Sequence, residues 1–560
     1  MEQLYYNGKI ITMSGQEFSG KPAESVLVRD GIIAAIGDFD EVRRVAGEQT
    51  VMVDLEGGCL MPAFIDAHSH MVMNGQMSLC ADLTECMSFA DIICVLKDFI
   101  VARQGMGDAP VIGYGYDHNF LEERRHPNRE VLDEVSTEIP IMVMHVSGHL
   151  ACTNSSALHL AGISADTPDP EGGRIGRFTD GRVPDGYLEE NAMQQIQKAF
   201  AVRMQFDMAK MMQGMQQIYI ENGITTVQDG ASTMQDVVLL EQMERQRQLL
   251  VDVVSYPLLT ADAREVHKRF SHLVGGYNGH LKIGGYKLIL DGSPQGRSAW
   301  MSEPYLNGEE GYCGYPWLSD QEAERWIRVA VDERQQLLVH CNGDAASEQF
   351  LNLYEKALRD TGCGEDLRPV MIHCQTVRSD QLDRMARLKM IASVFVGHVW
   401  YWGDIHLQNF GSARGSRISP VRDALDRGVT VNFHQDTPVT KPNMLHSVWC
   451  AVNRLSRSGV VIGEEQKISV YDALKAVTLQ AAYEYFEEDT KGSIEVGKRA
   501  DLVVLDRSPL DVAPMEIKDI QVVMTIKDGE VIYRSHKDTD DSKTCVNEKL
   551  ASTHNKKVEK

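Results

Sequence analysis

Between residues 60 and 433 the chain repeats one local pattern, a short apolar run lying near a helical pattern. Eight such runs occur, at residues 60–65, 224–229, 249–255, 286–290, 337–340, 370–373, 390–396 and 429–433. Strand-length apolar runs alternating with helices predict repeated βα units and a parallel barrel. A chain of 560 residues has room for such a barrel and a smaller domain.

The ends have a different texture. Residues 3–12, 25–29 and 32–36 read as strands separated by Asp30-Gly31 and Gly37-Asp38, and residues 500–505, 522–527 and 531–533 repeat the pattern around Asp528-Gly529. An Asp-Gly pair between apolar runs is a hairpin signal. Two β-rich ends flanking an α/β centre predict one small sheet domain built from both.

The gap from His70 to Ile224 exceeds one helix and its loops, so it reads as an insertion that begins on the face where a barrel builds its active site. The expected fold is therefore α/β: a (β/α)8 TIM-like barrel with a small β-sandwich domain formed from both chain ends and a large insertion after barrel strand 1. Its divisions are 1–59 for the first part of the sandwich, 60–488 for the barrel with 71–223 as a cap, 489–536 for the rest of the sandwich and 537–560 for a polar, disordered tail. The methionines 204, 208, 211, 212 and 215 recur at helical spacing and read as packing rather than a binding groove.

A formal net charge of −24 disfavours duplex nucleic acid or an anionic membrane, which would repel the chain. The eleven cysteines form no Cys-x-x-Cys pair, the start lacks the head and apolar middle of a signal peptide, and no run is long enough to span a bilayer. The expectation is a cytoplasmic protein acting on a small molecule, without nucleic-acid or membrane partners.

Chemistry enters where the first run ends, at Asp66-Ala67-His68-Ser69-His70. Residues two apart on a strand share a face, so His68 and His70 can reach one metal ion. Lys287 lies in the fourth run, His340 and His373 end the fifth and sixth, and Asp436 follows the eighth. Singly, His340 or His373 could be a hydrogen-bonded core histidine, Lys287 could snorkel and Asp436 could cap a helix. Polar groups at the ends of five different strands are what a barrel active site requires.

With these residues in place the chain resembles the amidohydrolase superfamily, specifically its YtcJ-like branch, amidohydrolase family 3, which includes N-substituted formamide deformylase-like enzymes. The resemblance covers nearly the whole chain. Its pieces are Met61 through His70, Ser147-Gly148-His149, Lys287 through Ser293, His340-Cys341-Asn342-Gly343-Asp344, and Lys491 through Leu502. It implies one or two divalent metal ions, usually zinc, that activate water to cleave a non-peptide C–N bond. His68, His70 and Asp436 would hold the first ion; His340 and His373 would hold a second, bridged by Lys287 carbamylated to N6-carboxylysine. Carbamylation needs the neutral amine, which burial beside cations favours. Imidazole and carboxylate ligands also accept manganese, iron or cobalt.

The resemblance further implies that Asp436 is catalytic, accepting a proton during attack and passing it to the leaving nitrogen. Candidates for substrate contact are Tyr116, Asp117, His149, Arg297 and His398, although Asp117 could cap a helix and Arg297 could form a structural ion pair. Relatives commonly have Trp at the position of Tyr116, Gly-Ser-Asp where this chain has His434-Gln435-Asp436, and His-Ala-Ile-Gly-Asp where it has His340 through Asp344. Homo-oligomers are frequent in the superfamily. The expected function is hydrolysis of an amide, N-acyl or N-formyl bond. A heterocycle deaminase is the alternative, disfavoured because the usual helper glutamate is missing after His340, and a non-catalytic barrel scaffold is the second alternative.

Overall fold

The computed structural model describes residues 2–14, 22–103, 109–170, 172–203 and 208–535 of the 560. Met204, the side chain of Met208 and the tail from residue 537 lie outside these.

Eight strands carry the centre of the chain: β1 (Phe64–Ile65), β2 (Ile224–Ser232), β3 (Asp252–Pro257), β4 (Gly285–Ile289), β5 (Gln336–Cys341), β6 (Val370–His373), β7 (Ile391–Val394) and β8 (Val431–Phe433). Neighbours in chain order pair in parallel within two groups, β1 to β3 and β4 to β8. A parallel bridge from Leu258 to Lys287 joins the end of β3 to β4. The short strand Leu281–Ile283 pairs with β3 and is followed within two residues by β4.

Alternation along these strands explains their apolar composition, because both faces are covered. Leu338, Val370, Ile372 and Ile391 face one side with Tyr485, whereas Leu337, Val339, Met371 and Ala392 join the larger cluster with the helices. Each fully buried aliphatic side chain of this kind contributes about 1.5–3 kcal/mol. Helices Asp320–Asp332, Asp344–Thr361 and Ser379–Arg387 follow β4, β5 and β6 and bury Ile327, Phe350 and Leu382 in that larger cluster.

The first run divides in a way its composition does not announce. Cys59–Pro62 pairs antiparallel with Leu502–Leu505, and only Phe64–Ile65 pairs with Ile224–Ser232. Proline, without an amide hydrogen, stands where the chain passes from one sheet to the other.

Both chain ends enter two sheets. One contains Ile32–Gly37, Ser25–Arg29, Glu2–Tyr6 and Val51–Asp54; the other contains Lys9–Ile10, Cys59–Pro62, Leu502–Leu505, Val522–Lys527 and Glu530–Arg534. Val26, Leu60, Leu502, Met524 and Ile526 share one buried cluster between them. Asp30-Gly31 and Asp528-Gly529 turn with positive φ at both residues, 51° and 80° in the first pair and 50° and 74° in the second, as a type I′ hairpin turn requires.

The stretch between β1 and β2 builds its own six-stranded sheet, from Ala81–Asp82 to Pro184–Glu190. Its two ends do not join that sheet: Met71–Met77 packs against Met208–Ile220, and both contact β2. Met211 and Met215 are buried there, as packing. Among the described residues no helix is long and apolar enough to cross a membrane, and all ten described cysteines are free thiols.

Candidate metal centre

Five of the eight strands, β1, β4, β5, β6 and β8, bring His68, His70, Lys287, His340, His373 and Asp436 into one contiguous group. His68 Nε2 and His70 Nε2 lie 3.3 Å and 3.2 Å from Asp436 Oδ1, and His373 Nε2 lies 3.9 Å from Oδ2. Lys287 Nζ is 3.1 Å from His68 Nε2, and the His340 ring stands edge-on to that of His373 with centroids 4.4 Å apart. Side-chain parity accounts for most of this. Lys287 pairs across the sheet with Leu338 and His340 with Ile372, so both project with the inward apolar residues.

His373 is the exception. Parity would send it outward with Met371, yet its φ is 76°, and the alternation breaks there. Asp436 has φ 56°. Left-handed backbone costs a residue with a Cβ of order 1–3 kcal/mol, and it falls at two of the side chains that converge here.

Proton positions decide what the group can hold. His70 Nδ1 is 2.7 Å from the backbone oxygen of Gly230, which can only accept, so Nδ1 carries a hydrogen and the neutral ring, the form that binds a metal, has a bare Nε2. His68 Nδ1 is 2.5 Å from Gln228 Oε1, whose amide nitrogen is occupied by the Ala67 oxygen, so its Nε2 is bare as well. Two lone pairs therefore face a carboxylate oxygen that has no hydrogen-bond donor among the described residues. The residues present fit a cation, and N–O separations near 3.3 Å match the edge of a tetrahedron with metal–ligand bonds of about 2.0–2.1 Å.

Ionisation agrees. Burial opposes the charge of Asp436, but the neighbouring His70, His373 and His68 rings prevail and hold it well below the usual carboxylate range. Burial keeps His68 and His373 neutral, far below the ordinary histidine value. Burial also pushes the Lys287 amine down to about 7, against the pull of Asp436, so a large share is neutral at physiological pH. His340 is lowered by burial and partly supported by Asp291, whose Oδ1 lies 3.2 Å from His340 Nδ1.

The substrate-contact candidates divide. His149 comes from the insertion, is half-buried, and bonds through Nδ1 to both oxygens of Glu190 at 3.0 and 3.1 Å. Burial opposes its charge, but Glu190, then Asp291 and Asp436, raise its pKa. His398 opens the helix after β7, is buried against Trp402, and bonds through Nδ1 to His406 at 3.0 Å. Tyr116 is fully buried in the core of the insertion with its hydroxyl on His126 and Cys152, a packing position rather than a substrate surface. Arg297 is exposed and bonds to the Asn307 oxygen. Asp117 accepts from Trp402 Nε1 at 3.0 Å and from Asn119, which ties the insertion to helix His398–Gly415.

Asp117, His118 and His145 also place three ligand-type atoms within 4.8 Å of one another. Here the protons close the group. The Ser147 amide donates to His145 Nδ1 at 3.1 Å, so neutral His145 carries its hydrogen on Nε2, 3.2 Å from His118 Nδ1 and 3.5 Å from Asp117 Oδ1. No cation is called for.

Four supporting residues were given no role in the sequence reading, Gln228, Asp291, Glu190 and His434, the last noted there only as a departure beside Asp436. Asp291 lay within a recognised motif; its carboxylate accepts from His340 and from the amides of Asn342, Gly343 and Trp300. Gln228 follows an apolar run with no local signal of its partner.

The amidohydrolase family model matches residues 51–533. The putative amidohydrolase YtcJ of Bacillus subtilis (strain 168) is 26% identical, with 95% of this chain and 99% of that protein covered. The N-substituted formamide deformylase of Arthrobacter pascens is 28% identical, with 91% and 95% covered. An uncharacterized metal-dependent hydrolase from Pyrococcus horikoshii OT3 has a solved structure that superposes with a TM-score of 0.72 at 24% identity, covering 92% of this chain and 99% of that one. Its fold is shared. The chain belongs to the amidohydrolase family and is a hydrolase of carbon–nitrogen bonds.

Proposed function

We propose that the chain is a metal-dependent amidohydrolase that cleaves an amide, N-acyl or N-formyl bond of a small molecule. The observation that carries this is the pair of bare Nε2 atoms on His68 and His70, 3.3 and 3.2 Å from Asp436 Oδ1 with no hydrogen to share. In this reading the eight strands form one barrel wall, supported by the Leu258–Lys287 bridge on one side and by the His70 amide bonding the Thr437 oxygen on the other. The two end sheets form a sandwich, residues 1–59 with 489–536, and the insertion within 71–223 caps the barrel of 60–488.

His68, His70 and Asp436 would hold one divalent ion, zinc by preference, and His340 and His373 a second; Lys287, as its carbamate, would supply oxygens to both. When bound, such ions lower the pKa of water toward about 7 and polarise the scissile carbonyl. The chain's own residues do the rest. Asp436, ionised and adjacent to the ring nitrogens, takes the proton released by the attacking water and returns it to the leaving nitrogen, which would otherwise depart as an amide anion. His149, held by Glu190 through Nδ1 and favoured in its charged form by that carboxylate, would as the imidazolium donate from Nε2 to the substrate oxygen from the cap. The relative named N-substituted formamide deformylase supports N-substituted formamides as the first substrates to try.

The test is a panel of N-formyl and N-acyl amines incubated with zinc-reconstituted protein, with amine and acid quantified. Equimolar amine and acid are expected, lost on chelation. Ammonia released from a heterocycle, with no amide hydrolysed, would replace this reading by deamination.

A further inference from the structure

His434 stands two residues before Asp436, and the reaction above gives it no role. Its side chain is fully buried, as is Ser393. Its Nε2 lies 3.1 Å from His373 Nδ1 and its Nδ1 lies 3.0 Å from Ser393 Oγ.

The partners of the other ring nitrogens cannot reverse. Gly230 O, Gln228 Oε1 and Asp291 Oδ1 accept and do not donate, so His70, His68 and His340 each have one proton arrangement. An imidazole and a hydroxyl can each do either. The trio Ser393, His434 and His373 therefore has two. In one, His373 Nδ1–H donates to His434 Nε2 and His434 Nδ1–H donates to Ser393 Oγ, which leaves His373 Nε2 bare. In the other, Ser393 Oγ–H donates to His434 Nδ1 and His434 Nε2–H donates to His373 Nδ1; His373 then carries its hydrogen on Nε2, facing Asp436 Oδ2 at 3.9 Å. Each imidazole holds one proton in both arrangements. The protons change ring nitrogen by exchange with water in the site, and the trio gains and loses none.

We propose that His434 is a positioning residue that makes His373 a reversible metal ligand, bare at Nε2 when an ion is bound and protonated there when it is not. This rests on the reading of His373 as a ligand. The consequence is unequal loading. At His70 an unfilled site leaves a lone pair opposed to a carboxylate, and the lone pair of His68 meets Lys287 Nζ, whereas at His373 the trio rearranges to supply a hydrogen. The position served by His68 and His70 fills first, and the one served by His373 is weaker and exchangeable.

The experiment uses the full chain with 15N-labelled histidine, metal-free and titrated with zinc(II), reading ring tautomers from long-range 1H–15N correlations assigned with His373→Gln and His434→Gln. His373 is expected to carry its hydrogen on Nε2 without metal and on Nδ1 after the second equivalent, while His68 and His70 carry theirs on Nδ1 throughout. His434→Leu, which offers no acceptor, is expected to keep the first zinc ion and bind the second about 10–100-fold more weakly, with His434→Gln restoring it through its amide oxygen. A His373 tautomer unchanged by zinc, or wild-type uptake of the second ion by His434→Leu, overturns the switch alone. A wild-type chain that takes up no zinc overturns the metal reading and the switch with it. Should His434→Leu fail to fold, the wild-type tautomers decide.

Discussion

His70 Nε2 stands 3.2 Å from Asp436 Oδ1, and no hydrogen lies between them, because the one hydrogen of the His70 ring is held by the Gly230 oxygen. Without a cation this is a repulsive contact, and relieving it by mutation has a measurable sign. Asp436→Asn places an amide where the lone pairs point, so the metal-free variant is expected to melt at or above the temperature of the metal-free wild type. Its hydrolysis is expected to fall by a factor of about 10²–10⁴, the usual contribution of a positioned acid–base group. Calorimetry of the apo proteins and turnover of the zinc-loaded ones check the two halves.

Gln228 reaches His68 from β2 and fixes its tautomer at 2.5 Å. Gln228→Leu removes that acceptor and is expected to weaken binding of the first metal ion about 10–100-fold, whereas Gln228→Glu, which still accepts, is expected to retain most of it. Competition titration against a chromophoric chelator measures the difference.

Glu484 lies fully buried beneath the centre, with Asn432 Nδ2 bonded to Oε2 at 2.6 Å, and burial raises its carboxyl from 4.5 to about 8. Between those values the folded chain holds a proton that the unfolded chain has released, so this group's contribution to stability falls as pH rises from about 4.5 to about 8. Glu484→Gln removes the dependence. Relative to the wild type it is expected to gain stability steadily across that window, which urea unfolding at pH 5.5 and pH 8 would show.

Asp252 on β3 ties the C-terminal segment to the centre of the chain. It is fully buried and bonds to Lys527 at 2.9 Å, His280 at 2.8 Å and Lys491, with Arg499 at 3.4 Å. Removing one side of such a pairing leaves buried charge uncompensated. Asp252→Ala is expected to cost about 3–5 kcal/mol in chemical unfolding, and more than any exposed ion pair of this chain.

The eight strands were legible because burial on both faces leaves an apolar run, and the convergence of His68, His70, His340, His373 and Asp436 was legible because each sits at or just past a run's end. The first run misled where Pro62 hands the chain from one sheet to another, since composition is the same on both sides of the break. His373 was assigned correctly to its strand end, but its inward direction depends on a left-handed φ that no residue pattern announces. Gln228, Asp291 and His434 act through partners 49 to 160 positions away in sequence, so their roles appear only after folding. At Tyr116 a motif position suggested contact with substrate, and its ring lies in the core of the insertion.

The central claim is that the ends of β1 and β8 hold a metal ion, and diffraction at the zinc absorption edge from crystals of the zinc-reconstituted chain tests it most directly. The account predicts an anomalous peak about 2.0–2.2 Å from His68 Nε2, His70 Nε2 and an oxygen of Asp436. A fully loaded crystal with no peak among those three atoms would contradict it.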